Sequence, residues 1–169
     1  YTLSDIGFAG DIEEDGGTFE ENALIKARAA ASADYLSIAD DSGICVDALG
    51  GAPGIYSARY AGEHGNDKKN NEKLLYELRN VPAERRGAHY VCAIACVLPD
   101  GESFTVTGKA YGRVLTEEHG DGGFGYDPLF LPDGQSLTWG ELDEAEKNKT
   151  SHRRKAIELF AAELKKRIG

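Results

Sequence analysis

The chain has 169 residues, 41% hydrophobic and 28% charged, a globular mix able to bury a core, and its 21 glycines argue against a plain helical bundle. A formal net charge of −10 makes it a poor binder of a nucleic-acid backbone, which requires clustered Lys and Arg, but leaves room for a small anion held by local cations, backbone N–H groups and a carboxylate-bound metal. No apolar run reaches the ~18 residues of a membrane span, and three cysteines without close pairs (Cys45, Cys92, Cys96) read as reduced thiols of a cytoplasmic protein.

Residues 11–17 form an acidic, Gly-containing stretch. Thr18 and Glu21 have the spacing of a capping box, and the Ala-rich run 22–33 after them predicts a helix. Residues 37–39 read as a short strand ending at Asp40-Asp41-Ser42-Gly43, with 44–46 again extended before the Gly/Pro loop 50–54. Asn66 is a candidate N-cap for a helix to about residue 78 with Leu74, Leu75 and Leu78 inward. Segment 88–98, apolar on both faces, predicts a central strand on which Cys92 and Cys96 share a face, too far apart to bridge. Segments 103–108 and 110–115 are β-like. The Gly-rich loop 120–128 leads to a short strand over 129–131, and a last helix runs from about 151 to 168 with Ala156, Ile157, Phe160 and Leu164 as its apolar stripe. The expected architecture is α/β: a mixed central sheet with flanking helices in one domain, 1–169.

Four segments carry groups suited to chemistry, although each alone reads as readily as ordinary turn, loop or surface. Asp40 and Asp41 end a strand where α/β proteins place ligands. Their hard oxygens suit Mg²⁺, and alternation along a strand lets only one face the site. Glu13, Glu14 and Asp15 matter only if their loop folds back toward Asp41. In 122–128, glycines permit close backbone approach, Phe124 and Tyr126 offer flat faces for a base, and Asp127 offers an acceptor. Ser151 is a plausible N-cap that puts His152 and Arg153 in a first helical turn, where cations oppose the helix dipole and free N–H groups welcome an anion or a carbonyl. Lys26 and Arg59 are ambiguous by themselves. The sequence has no Walker-type loop, and its four histidines lack zinc spacing.

Taken together, GTFEENALIKA (17–27), ADDSGICVDALGGAPGIYSARYAG (39–62), GGFGYDP (122–128) and EKNKTSHR (146–153) closely resemble the inosine triphosphate pyrophosphatase, or Ham1-like, family, the bacterial branch above all. The resemblance covers nearly the whole chain. It implies an elongated central sheet, two lobes around a cleft and a homodimer. It also implies Mg²⁺-dependent hydrolysis of inosine, deoxyinosine and xanthosine triphosphates to the monophosphate and pyrophosphate. Residue by residue it implies Asp41 as general base and metal ligand, Glu14 as second metal ligand with Glu13 as fallback, and Ser42, Lys26 and Lys147 as substrate contacts, the lysines at phosphates. It further implies Phe124, Gly125, Tyr126 and Asp127 as the base-binding segment and Ser151, His152 and Arg153 as the base-recognition motif. Members of that family open with a strand and a Gly-rich turn of the form Ser/Thr-x-Asn-x-x-Lys. The sequence in hand starts downstream of one, and the expectation is loss of that segment from a chain whose later motifs are intact. A catalytically impaired nucleotide-binding homologue is the alternative.

Overall fold

The computed structural model describes Thr2, Asp5 and residues 10–168. Among the described residues four helices flank one sheet: α1 (Phe19–Ala29), α2 (Asp67–Leu78), α3 (Glu144–Thr150) and α4 (His152–Ile168). The strands β1 (Ser37–Val46), β2 (Gly87–Val97), β3 (Ser103–Val114) and β4 (Phe130–Pro132) lie side by side in that order. The α/β class is as expected; among the described residues every strand pairing is antiparallel.

The capping signals translate directly into helix starts. Thr18 Oγ1 accepts from Glu21 N at 3.1 Å, and Asn66 Oδ1 accepts from Lys69 N at 3.1 Å, each satisfying an N–H that the first turn leaves free. Helix α1 lays Phe19, Ala23 and Ala27 on one face of the sheet against Val91, Ala93, Ala95 and Val97. Helix α4 covers the other face, with Ala156 against Cys92 and Ile94 and Phe160 near Cys96 and Phe104. A second packed body, around Ile44, Leu74, Leu78, Tyr90, Phe130 and Trp139, joins the far ends of β1 and β2 to α2 and the 126–139 segment.

Several local expectations need correction. Strand β1 does not stop at Asp40. It pairs without interruption from Ser37↔Val97 to Val46↔Ala88, so the turn-forming Asp-Asp-Ser-Gly run is held extended by its partner strand. Gly43 is there for space, not for a turn, since a Cβ would lie 2.4 Å from Ser57 Oγ and 2.5 Å from Gly54 O. Helix α1 begins and ends earlier than predicted, at Phe19 and Ala29, and the two β-like segments join in a single strand, Ser103–Val114. The helix α3 was not predicted. It is capped by Asp143, whose side chain accepts from Glu146 N at 2.8 Å, and it delivers Lys147. Ile157 leaves the apolar stripe and lines a cavity instead.

Candidate active site

Alternation along β1 sends Asp41 toward α1 and Asp40 toward α4. On the α1 side, Lys26 Nζ lies 3.0 Å from Asp41 Oδ1 and 3.4 Å from Glu14 Oε1. The acidic loop thus does fold back toward Asp41, through Glu14; Glu13 is exposed. Burial pushes the Asp41 carboxyl above the usual range, the Lys26 charge pulls it down, and the Glu14 charge pushes it up.

Two carboxylates from separate segments that already share one cation form a donor set for a hard divalent ion, which is held by one or two carboxylates plus substrate phosphates. Among the described residues no group of three or more His, Cys, Asp or Glu gathers as a metal cage, so phosphate or water oxygens would have to complete the shell. The residues fit that role, and they fit it only with a substrate in place.

On the α4 side, Arg153 Nη2 meets Asp40 Oδ2 at 2.8 Å, and Ser42 Oγ donates to the same oxygen at 3.3 Å. The Arg153 cation at the start of α4 therefore has an acidic partner one residue from Asp41. Ser151 Oγ accepts from Arg154 N at 3.1 Å, the expected cap. The closeness of α4 to the sheet requires Gly108 of β3, where a Cβ would lie 2.3 Å from His152 O and 2.4 Å from Ala156 N.

A cavity of about 640 Å³ opens beside this helix start, lined among others by Gly123, Phe124, Lys147, Ser151, His152 and Arg153. Phe124 is 58% exposed, a flat face free to take a base, with Lys147 Nζ 4.0 Å from its ring centroid. Lys147, expected at phosphates, is buried here and paired with Asp127. Asp127 also accepts from Phe124 N at 2.9 Å, while its Oδ1 has no hydrogen-bond partner of good geometry among the described residues. Burial raises the Asp127 pKa against the pull of Lys147.

Tyr126 and Gly125 are engaged within the protein. Tyr126 is buried, and its hydroxyl donates to Ser57 O at 2.7 Å, so it supplies no face to the cavity. Gly125 donates to Asp67 Oδ2 at 2.8 Å and accepts from Asn71 Nδ2 at 3.2 Å, which ties the loop to α2. His152 is 4% exposed, and burial together with the Arg153 and Lys147 charges pushes its pKa down to about 3.

The model of the Ham1 family matches residues 1–163. The chain belongs to the Ham1 family. It is 49% identical over 171 residues to the dITP/XTP pyrophosphatase of Clostridium perfringens, an alignment covering 97% of this chain and 84% of that protein. The dITP/XTP pyrophosphatase of Bacillus subtilis is 49% identical, covering 95% and 81%. Among solved structures, the Ham1 protein of Staphylococcus aureus superposes with a TM-score of 0.91 at 45% identity, over 98% of this chain and 85% of that one.

Sequence reasoning missed Asn22. Fully buried, it accepts from Gly16 N at 2.9 Å and offers Nδ2 to Asp41 Oδ2 at 3.4 Å, linking the acidic loop to the strand. The signal was present: Asn22 and Lys26 fall at helical spacing on the same stripe as Ala23 and Ala27, polar residues where the pattern demands apolar ones. Tyr90 and Trp139, which pack against His152, gave no such signal in their own segments.

Proposed function

We propose that this chain hydrolyses non-standard purine nucleoside triphosphates (ITP, dITP, XTP) to the monophosphate and pyrophosphate, with Glu14 and Asp41 holding Mg²⁺. The observation that carries the reading is the convergence of those two carboxylates on one cation, one residue along β1 from the Asp40–Arg153 pair that borders the base cavity. The names of the relatives point to the same chemistry.

When bound, Mg²⁺ would neutralise charge building on the phosphate oxygens. Asp41, made more basic by burial, orients a water and accepts its proton as the water attacks the α phosphorus. The bond from that phosphorus to the bridging oxygen breaks, and pyrophosphate leaves. Lys26, released from its carboxylates, follows the phosphates. At the other end Phe124 stacks on the base. Lys147 and Asp127 stiffen the loop beneath it, and His152 and Arg153 donate to the 6-oxo group. Adenine carries an amino donor there, and an unpaired buried donor costs about 1–3 kcal/mol, enough for roughly ten- to hundred-fold discrimination. Ser151, on the cavity wall, and Ser42, bonded to Asp40, are the remaining substrate contacts of this reading.

Residues 1–169 are read as part of one folding unit around one sheet. A homodimer and a cytoplasmic location belong to the same proposal. The first is supported by a sheet face that α1 leaves open beside His89, Lys109 and the 51–56 loop, with Tyr56 and Tyr111 exposed there. The second is supported by three cysteines that form no disulfide.

The test is a nucleotide panel scored for pyrophosphate with and without Mg²⁺. Pyrophosphate from dITP and XTP, abolished by EDTA and restored by Mg²⁺, is the expected outcome. Orthophosphate release, or binding of dITP without any cleavage, would discard the reading in favour of another phosphatase or of the impaired homologue. Light scattering of the same preparation checks the dimer.

A further inference from the structure

A histidine that works in a site is ordinarily set in plane and tautomer by a hydrogen bond on its second ring nitrogen. His152 lacks that device among the described residues: Nδ1 is buried and none of them pairs with it. What it has is rings. Its imidazole lies 4.8 Å from the Tyr90 ring at an interplanar angle of 22°, and 5.4 Å from the Trp139 ring at 21°. Tyr90 and Trp139 are themselves 5.0 Å apart and tilted by 33°, so the two form one platform across which the imidazole is laid. Phe130 stands edge-on to Tyr90 at 4.9 Å and tilted against Trp139 at 4.7 Å, which stops the platform from sliding.

We propose that the Tyr90–Trp139 platform positions His152 for base recognition by fixing the plane of its imidazole. The inference rests on the reading that His152 meets the 6-oxo group. The rings come from three separate segments: β2, the turn before α3, and the first residue of α4. They therefore also tie the base-reading helix start to the sheet. The platform is almost wholly out of water, so the ring has no room to turn. With His152 held neutral in its dry surroundings, one N–H and one lone pair remain. Because Nδ1 faces the protein, the other nitrogen serves the ligand.

The experiment measures kcat and KM for dITP and dATP, with pyrophosphate as product, in Trp139→Leu, Trp139→Phe, Tyr90→Phe and His152→Ala. Trp139→Leu is expected to raise KM for dITP on the order of ten-fold and to narrow the dITP-over-dATP preference by a similar factor, with kcat within about two-fold, the scale of one misplaced polar contact. Trp139→Phe restores most of the preference, and Tyr90→Phe, which keeps the ring, behaves as the parent. Loss of activity on both nucleotides in equal proportion with the preference intact would make the platform merely structural and overturn the proposal. So would a Tyr90→Phe enzyme as unselective as Trp139→Leu, because the hydroxyl would then be the device. If His152→Ala keeps the preference, the reading of His152 itself falls; if His152→Ala loses it and Trp139→Leu does not, only the platform falls. The unaltered protein gives a readout that no folding failure can spoil. Trp139 is its one tryptophan, so inosine monophosphate closing on the stacked imidazole changes the emission, and an unchanged spectrum at saturation counts against the platform.

Discussion

At the acidic end of the site, the side chains of Glu14, Lys26 and Asp41 keep 29%, 21% and 12% of their surface, whereas at the base end Asp127 and Lys147 meet at 1% and 9%. The first cluster is wet enough to exchange partners. On the proposed reading its lysine leaves two carboxylates to a metal and follows the phosphates, because water and the incoming charges offset what each group gives up. The second cluster is dry. Its pair is locked, and several polar atoms around it, among them Asp127 Oδ1, Trp139 Nε1 and His152 Nδ1, have no hydrogen-bond partner among the described residues. A dry site penalises a wrong donor or acceptor heavily, which suits discrimination between bases. A wet site tolerates rearrangement, which suits the reaction.

Substitutions at the two ends should therefore fail in different ways. Asp41→Asn should lower kcat for pyrophosphate release on the order of a thousand-fold with the thermal melt little changed, because it removes a charge that burial disfavours. A large fall in melting temperature would mean that the acidic end is a structural element after all. Lys147→Met should act in reverse. It strands a buried carboxylate, and urea unfolding should show a loss of about 3–5 kcal/mol. A stability equal to the parent's would show the base end to be less dry than its burial indicates.

Acid should also single out the base end. The folded pKa of His152, about 3, lies below its unfolded value near 6.5, so the unfolded state binds more protons between those limits and stability falls as pH drops through the window. Between pH 7 and pH 5 this one group should remove about 2 kcal/mol, and His152→Gln should flatten that slope. Parallel stability profiles for the two proteins would refute the assignment. The smallest effect belongs to the pair that joins the ends. Asp40 and Arg153 are 46% and 47% exposed, so Asp40→Asn should cost about 0–1 kcal/mol in the same urea experiment. A larger cost would show Arg153 to be an anchor between the two ends.

Much of this was legible in the chain. The capping pairs at Thr18 and Asn66, the doubly apolar run of β2 and the Ser151 cap are local signals, and the structure reproduces them. The motif order was enough to name the family. Illegible were features that depend on partners distant in sequence. Asp-Asp-Ser-Gly became strand because β2 supplies ten successive pairings, overriding a local preference for a turn. Tyr126 left the cavity because a carbonyl at Ser57 takes its hydroxyl. Lys147 is paired with Asp127 because α3 aims it there, a partner twenty residues away that the local sequence does not announce.

The sequence by itself determined the helix starts, the central strand and which residue types could bind a metal, a phosphate or a purine, since these follow from neighbours within a few positions. Only the tertiary structure decided which of two adjacent aspartates meets Lys26, that Asn22 connects the acidic loop to the strand, and that His152 lies on two aromatic rings. Those facts depend on strand pleat and on packing between segments far apart in the chain, and neither is written in the order of the residues.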